Sequence, residues 1–242
     1  MRGSLAVLAG LLLAGLSLAA CQTRAGVAPP PATPAADPSV KPGANAEFLR
    51  TDLDVGPWVE RLEKPGREIF DKRAAIVAAT GVKKGQAVAD IGAGTGLFTL
   101  LFAEAVGREG KVYAVDIAPR FIAHIEKRAH EAGVRNVEAV LTGERSVDLP
   151  PASVDLAFLC DTYHHFEHPR VSLGSIQRAL RPGGELVVVD FKRVPGQSQP
   201  WVMEHVRAGQ EQVTAEIEAA GFASLGEVAL LKDNYLVRFR RR

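Results

Sequence analysis

The most constraining feature of the chain is a glycine-rich turn within residues 88–97. The apolar run that leads into it ends at Ile91, which is typical of a buried strand, and the apolar residues after it recur at helical spacing. Gly92, Gly94 and Gly96 therefore lie between a strand and a helix. Glycine permits positive φ and close approach of a ligand, and the free N–H groups of the helix start face that ligand. The turn predicts an α/β fold with a ligand site.

The spacing of these glycines separates two kinds of nucleotide site. They fall at i, i+2 and i+4, whereas the dinucleotide fingerprint needs the third at i+5, where Leu97 stands. The spacing therefore disfavours NAD. The next predicted strand, residues 111–115, is followed by Asp116, twenty residues after Gly96. The two oxygens of such a carboxylate suit the two neighbouring hydroxyls of a ribose.

Residues 90–96, Asp-Ile-Gly-Ala-Gly-Thr-Gly, resemble the first motif of class I S-adenosylmethionine (SAM) methyltransferases. In that family the glycine loop packs against the methionine part of the cofactor, and the acidic residue after the next strand holds the ribose hydroxyls. The resemblance therefore implies SAM as cofactor. It also implies that Asp90 anchors the glycine loop and the methionine end. The implied cofactor residues in this region are Asp90, Gly92, Gly94, Gly96, Asp116 and Ile117.

The resemblance extends from about Phe48 to the C-terminus. Predicted strands at 137–141, 154–159 and 185–191 alternate with helices, and the sequence Arg-Pro-Gly-Gly at 181–184 precedes the last of them, as in many family members. Two final strands, about 225–231 and 235–239, are joined by a turn so tight that they must be antiparallel. The implied fold is a three-layer, Rossmann-like α/β fold with a seven-stranded, mostly parallel sheet and an antiparallel last strand.

Helices are predicted before and after this sheet core. A short helix around Trp58 and a longer one carrying Ile69 to Val77 precede the first strand, and a helix that starts near Trp201 ends at Gly221. In the family, the helices before the first strand cover the cofactor. This implies a place at the cavity wall for Arg67, Glu68 and Arg73, and solvated helix charges are the alternative for each.

Polar residues follow the third and fourth predicted strands, where open α/β sheets bind ligands. Family members commonly place a small residue and an acid against the adenine, which implies that role for Gly143 and Glu144; a plain polar turn is the alternative. Asp161 follows the fourth strand. It is assigned to the cofactor site, where it contacts either the methionine ammonium or the substrate.

The candidate catalytic residues are Tyr163, His164 and His165, which follow Asp161. Methyl transfer depends chiefly on alignment of the reacting atoms, which is worth roughly 7 to 11 kcal/mol in well-oriented systems. If the acceptor must lose a proton, His164 or His165 is the candidate base, because imidazole titrates near neutrality, and an alternating backbone points one of them into the pocket. Tyr163 is the candidate for orienting a substrate oxygen. A packing role for the two histidines is equally open.

The histidine pattern alone predicts no metal site. His164, His165 and His168 cluster in sequence, which leaves a metal site as an alternative, but they lack the placed carboxylate pattern that would favour one. His205 is interpreted as a surface residue. Cys160, within an apolar run, is interpreted as a small buried residue, and two cysteines imply no disulfide framework.

The N-terminus resembles a bacterial lipoprotein signal. Residues 5–20 carry no charge and are too few for a comfortable membrane span, which fits a signal-peptide core. The sequence Leu-Ala-Ala-Cys at 18–21 resembles a lipobox, implying lipidation of Cys21 and attachment to the cell envelope. Because Gln22 is not aspartate, the family's sorting rule implies the outer membrane of a Gram-negative cell, facing the periplasm. An ordinary signal peptide or short anchor is the alternative.

Residues 22–45 are rich in alanine and proline and poor in large apolar side chains. They predict a semi-extended tether, with a loop docked on the domain as the alternative. The predicted organisation is a signal peptide at 1–21, a linker at 22–45 and a methyltransferase domain at 46–242. A net charge of +1 gives no reason to expect nucleic acid.

The sequence favours an exported, membrane-anchored SAM-dependent methyltransferase. The absence of an added recognition domain favours a small-molecule acceptor. Export conflicts with the cytoplasmic synthesis of SAM, and the sequence does not resolve that conflict. One alternative is a module that binds SAM or another nucleoside without turnover, and a second is a cytoplasmic RNA-modifying enzyme.

Overall fold

The computed structural model describes residues 37–242, which form one compact unit beginning at Asp37. The predicted signal peptide, Cys21 and most of the tether lie outside the described residues. Within residues 37–242, every helix is too short or too polar to cross a bilayer.

A seven-stranded sheet forms the middle layer, in the order β3-β2-β1-β4-β5-β7-β6. Strands β1 to β5 are parallel, and β7 runs antiparallel to both of its neighbours. This confirms the predicted fold class, including the reversed last strand. The strands are β1 (Ala87–Ile91), β2 (Lys111–Asp116), β3 (Val137–Leu141), β4 (Val154–Cys160), β5 (Leu180–Phe191), β6 (Phe222–Glu227) and β7 (Asn234–Arg241).

Helices cover both faces of the sheet, so the central strands are buried apolar runs. All five residues of β1 are buried, with Ala89 facing one core cluster and Val88 the other. The α-helices of residues 37–242 are α1 (Gly56–Leu62), α2 (Glu68–Asp71), α3 (Arg73–Ala79), α4 (Leu97–Val106), α5 (Pro119–Glu131), α6 (Pro169–Ala179), α7 (Pro200–His205) and α8 (Gln210–Ala219).

Two predicted helices are each divided in the structure. The helix predicted from Ile69 to Val77 breaks at Lys72, whose φ of −98° and ψ of 9° are not helical, and becomes α2 and α3. The predicted C-terminal helix becomes α7 and α8 because the chain is extended at Val206 and Gly209. In both cases, one amphipathic pattern predicts a single helix where the structure has two shorter ones.

Strands β5 and β6 also differ from the prediction at their ends. Strand β5 begins at Leu180 rather than Glu185, because the Pro-Gly-Gly segment forms an irregularity where pairing shifts between Val154 and Leu156. Strand β6 begins at Phe222 and ends at Glu227, earlier than the predicted 225–231. The apolar residues after it pack against the core without joining the sheet.

The end of the predicted tether is part of the folded unit. The Ser39 hydroxyl donates to a Glu167 carboxylate oxygen at 2.6 Å, and the backbone N–H of Val40 donates to the Glu167 carbonyl at 2.8 Å. Asn45 is 4% exposed. Residues 37–45 therefore follow the docked-loop alternative, and the folded unit begins at Asp37 rather than at residue 46.

Candidate cofactor site

A cavity of about 200 Å³ opens at the carboxyl ends of β1, β2 and β4, and the glycine turn forms part of its wall. Gly92 and Gly94 line it with φ angles of +68° and +55°. A Cβ at Gly92 would lie 2.3 Å from the Thr162 side chain, so packing requires glycine there. A Cβ at Gly94 would meet its nearest neighbour only at 3.9 Å. Gly94 therefore leaves open space on the cavity side, which is what a closely approaching ligand needs.

Gly96 has a different role from the one expected of it. It does not line the cavity. It precedes α4 with a φ of +80°, and a Cβ there would lie 3.0 Å from Ile125 in α5. The expectation that Gly96 contacts the cofactor is corrected: its lack of a side chain serves the left-handed turn and the close approach of two helices.

Asp116 lies at the cavity and also holds the glycine turn. One carboxylate oxygen accepts from the Gly94 N–H at 2.8 Å, and the other accepts from the Ala118 N–H at 2.9 Å. Burial raises the pKa of Asp116 from 3.8 to about 6, although these N–H groups oppose the shift. Each oxygen retains capacity to accept a further hydrogen bond. Ile117, the next residue, also lines the cavity.

Asp90 lines the cavity and is tied to helix α4 rather than to the glycine turn. Its carboxylate accepts from the Thr99 hydroxyl at 2.6 Å. Burial raises the pKa of Asp90 to about 7, and the charge of Asp116 adds to that shift. The expected anchoring of the glycine loop by Asp90 is therefore corrected to anchoring of the first turn of α4.

Asp161 and Arg67 form an ion pair in the cavity wall. The Arg67 guanidinium donates to one Asp161 oxygen and to the Leu62 carbonyl, and the Asn234 amide donates to the other Asp161 oxygen at 2.7 Å. Burial raises the pKa of Asp161 to about 6, against the stabilising charge of Arg67. The pair places a cationic and an anionic group side by side at the same ligand surface.

Glu68 and Arg73, the other two charges expected near the cofactor, do not line the cavity. The Glu68 carboxylate accepts three backbone N–H groups from residues 232–234, at 2.7 to 3.3 Å. The Arg73 guanidinium lies over the Phe70 ring at 4.1 Å and donates to the Phe70 carbonyl. Both side chains stabilise the fold away from the site.

Gly143 and Glu144 line the cavity after β3. The Glu144 carboxylate accepts from the Asn45 amide at 2.8 Å, and the same amide donates to the His165 carbonyl at 3.1 Å. The docked N-terminal segment thus contributes a polar residue to the wall. No pattern in the sequence distinguished Asn45 from the linker around it.

An apolar cover lies over the site. Phe48 packs against Trp58 with ring centroids 5.1 Å apart, and Phe121 lies 6.2 Å from each of them. All three rings line the cavity. His165 meets the edge of Phe48 at 5.2 Å. This part of the cavity wall is therefore aromatic and suits a ligand with apolar surface.

Of the two candidate bases, His165 lines the cavity and His164 does not. Burial, together with the charges of the neighbouring His164 and His205, lowers the pKa of His165 to about 3, so its imidazole is neutral at physiological pH. His164 is 3% exposed, and its Nδ1 lies 2.8 Å from the Asp190 carboxylate. The expectation that His164 acts as a base at the cavity is corrected to a buried, carboxylate-bound position.

Tyr163 is fully buried and does not line the cavity. Its hydroxyl donates to a Glu216 oxygen at 2.7 Å, and the Arg207 guanidinium lies over its ring at 5.3 Å. Burial and the Glu216 charge raise the pKa of the phenol. The expectation that Tyr163 orients a substrate oxygen is corrected, because its hydroxyl is used in binding helix α8.

Cys160 and His205 each lie beside a part of the site that the sequence did not indicate. Cys160 is half-buried and lines the cavity, and burial raises the pKa of its thiol. Its place at the carboxyl end of β4 was the available signal. His205 is exposed, as expected, but its ring lies 5.0 Å from that of His164 and 5.1 Å from that of His165.

Comparison with known proteins places residues 88–184 in the family model described as a methyltransferase domain. The ubiquinone/menaquinone biosynthesis C-methyltransferase UbiE of Hydrogenovibrio crunogenus is 31% identical over 124 residues, covering 51% of this chain and 48% of that protein. UbiE of Pseudoalteromonas translucida is 31% identical over 118 residues, covering 48% and 47%. The chain therefore spans about half the length of the curated relatives it matches.

Two solved structures show the extent of the structural likeness. A SAM-dependent methyltransferase from Aquifex aeolicus superposes with a TM-score of 0.70 at 27% identity, covering 78% of this chain and 99% of that one. The [4+2]-cyclase SpnF superposes with a TM-score of 0.63 at 19% identity, covering 74% and 84%. The second likeness shows a shared fold alone.

Proposed function

We propose that this chain, which carries a class I SAM-dependent methyltransferase domain, transfers a methyl group to a small-molecule acceptor. The observation that carries the proposal is the pairing of an open glycine face with a buried carboxylate. Gly94 leaves the cavity side free, and its N–H is bound by Asp116, which lines the same cavity. The family model and the Aquifex aeolicus structure support the same cofactor.

The residues of the cavity fit each part of that cofactor. Asp116 would accept from the ribose hydroxyls, Gly143 and Glu144 would border the adenine, and Arg67 would bind the methionine carboxylate. SAM, when bound, supplies a methyl group attached to a positively charged sulfur. Burial disfavours the ionised forms of the Asp90 and Asp161 carboxylates. The cofactor's positive charges would stabilise those ionised forms.

The aromatic cover supports an acceptor with apolar surface. Phe48, Trp58 and Phe121 line the cavity, and His165 is the neutral polar group beside them. The matched relatives, whose names refer to ubiquinone and menaquinone biosynthesis, support a small apolar acceptor as well.

A second candidate is a SAM-binding module without methyl transfer. The structural likeness to a protein described as a [4+2]-cyclase favours keeping it, because that protein shares the fold under a different printed activity. Release of S-adenosylhomocysteine distinguishes a methyltransferase from a binding module. Tight SAM binding with no release in the presence of lipid and metabolite extracts would support the module.

Calorimetry with SAM and S-adenosylhomocysteine tests the cofactor site. Gly94→Ala should weaken SAM binding at least tenfold, because the new Cβ enters the open cavity face. Gly133→Ala is the matched control, since Gly133 also has positive φ, at +65°, with no neighbouring atom within 4 Å of the added Cβ. Both substitutions carry the backbone strain of about 1–2 kcal/mol, but the control should bind SAM normally. Equal affinity in the two variants would contradict the site.

We further propose that Cys21 is lipidated and that the domain is anchored in the cell envelope, at the outer membrane facing the periplasm. The support is the charge-free run at 5–20 followed by Leu-Ala-Ala-Cys at 18–21. Labelled palmitate should be incorporated into the full chain, and Cys21→Ser should abolish incorporation and release the protein from the membrane fraction. A chain that remains soluble and unlabelled in its host, with its N-terminal methionine intact, would contradict anchoring and favour the cytoplasmic alternative.

A further inference from the structure

Three histidines from two separate elements converge beside the cofactor cavity. His164 and His165 lie on the short 3-10 turn after β4, and His205 ends helix α7. One ring nitrogen from each lies within 4.8 Å of the other two. The ring centroids are 4.3 Å apart for His164 and His165, and 5.0 Å apart for His164 and His205.

In both turn histidines, Nδ1 has a hydrogen-bond partner. Nδ1 of His164 lies 2.8 Å from the Asp190 carboxylate, and Nδ1 of His165 lies 3.3 Å from the Ala44 carbonyl. Acceptors at Nδ1 hold that nitrogen protonated and leave Nε2 with a free lone pair. A carboxylate or carbonyl behind a histidine is the usual support for a metal-binding imidazole.

The spacing is close to that of a metal centre. Zinc–nitrogen bonds of 2.0–2.1 Å place tetrahedral ligand nitrogens about 3.4 Å apart. The three histidine nitrogens lie within 4.8 Å of one another, so metal binding requires them to approach by at most about 1.4 Å. His205 is the exposed member of the three. The end of its helix is held in place, because the Lys41 ammonium donates to the His205 carbonyl.

We propose that His164, His165 and His205 bind one divalent transition-metal ion, with Zn²⁺ as the best match. Structural zinc sites have four protein ligands, whereas catalytic zinc sites have three and keep the fourth position open. Three neutral imidazoles match the catalytic kind. His165 lines the cofactor cavity, so an ion bound by it would lie beside the cavity wall.

The open coordination position favours one class of methyl acceptor. This inference rests on the proposed methyl transfer. A hydroxyl or thiol that coordinates the ion forms a metal–oxygen or metal–sulfur bond and loses its proton to solvent water, because the ion's charge lowers its pKa. This leaves an anionic nucleophile beside the cavity without a side-chain base. The favoured acceptor is therefore a small molecule with an ionisable hydroxyl or thiol on an apolar body.

Titration of the tag-free, chelator-treated full chain with Zn²⁺ and with Co²⁺ tests the site. Calorimetry should give one Zn²⁺ per chain, and Co²⁺ should develop the visible absorption of a tetrahedral centre. His205→Ala should weaken Zn²⁺ binding at least tenfold and abolish the absorption. His130→Ala, another exposed histidine on the end of a helix, is the matched control and should behave as the unsubstituted protein. Asp190→Asn, which retains all three ligands, should weaken binding 10–100-fold.

Cofactor binding distinguishes failure of this site from failure of the proposed function. His205→Ala should bind SAM with unchanged affinity, which also shows that the variant is folded. SAM binding with no stoichiometric Zn²⁺ or Co²⁺ binding would overturn the metal site and leave the cofactor assignment standing. Equal metal affinity in His205→Ala and His130→Ala would overturn it too, because the ion would then be held elsewhere.

Discussion

Asp116 combines two tasks with opposite requirements for charge. Its oxygens accept two backbone N–H groups, and the proposed ribose contact also needs an acceptor. Burial nevertheless raises its pKa from 3.8 to about 6. The folded protein therefore binds a proton at this residue more tightly than the unfolded chain does. Stability from this source is fully present below pH 4 and is lost as the pH rises through 6.

Asp116→Asn should remove that pH dependence. Relative to the unsubstituted protein, the variant should gain up to about 3 kcal/mol of unfolding free energy between pH 4 and pH 7, and urea titrations across that range measure the difference. SAM affinity should follow the opposite trend in the unsubstituted protein, rising from pH 5 to pH 7 as the carboxylate ionises. A constant stability difference between the two proteins would contradict a raised pKa at Asp116.

Single residues were predicted best where backbone chemistry decided their place. Gly94 and Asp116 follow from the turn and the strand end, and both line the cavity. Tyr163 and Gly96 were misplaced because the direction of a side chain after a strand depends on which helices pack there. Their partners Glu216 and Ile125 are distant in sequence, so no local pattern revealed them.

At the level of elements, the N-terminal end of α2 positions a cation. Helix α2 begins after Arg67, whose backbone is extended, and this places the guanidinium against Asp161 instead of along a continuous helix. The sequence predicted one helix here because the apolar residues keep helical spacing through Lys72. The break depends on tertiary contacts such as that of Glu68 with the turn at 232–234.

Arg67→Met should weaken binding of SAM about tenfold or more, since a charge-assisted hydrogen bond is worth about 1.5–3 kcal/mol. Binding of 5′-methylthioadenosine, which lacks the amino-acid half, should be almost unchanged. Arg73→Met is the matched control from the same segment, because its guanidinium lies on Phe70 outside the cavity. An equal loss for both ligands would show that Arg67 serves only the fold.

Strands β2, β3 and β4, predicted at 111–115, 137–141 and 154–159, were predicted nearly to their ends. In these strands local chemistry and the fold agree. Strand β6 was misplaced because Val228 and Leu230 are apolar for packing on the core, whereas pairing with β7 ends at Glu227.

The whole molecule includes residues 37–45, which composition alone assigned to the tether. Chains beginning at residues 37 and 46 should therefore differ. The shorter chain loses the Ser39–Glu167 and Asn45–Glu144 hydrogen bonds, and its melting temperature should fall by about 5 °C, at about 1 kcal/mol per bond.

SAM binding should also weaken in the chain that begins at residue 46, because Asn45 lines the cavity. Ser39→Ala in the longer chain is the control: it should lower the melting temperature slightly and leave SAM affinity unchanged, since Ser39 lies outside the cavity wall. Identical melting and binding of the two chain lengths would contradict a structural role for the docked segment.

Docking of residues 37–45 also shortens the segment that would link the domain to the proposed lipid anchor. If Cys21 is lipidated as proposed, residues 22–36 are what remains between the bilayer and Asp37, and a fully extended chain of that length spans about 55 Å. A domain held within that distance of the bilayer would meet molecules dissolved in, or just leaving, the lipid far more often than those in the bulk fluid.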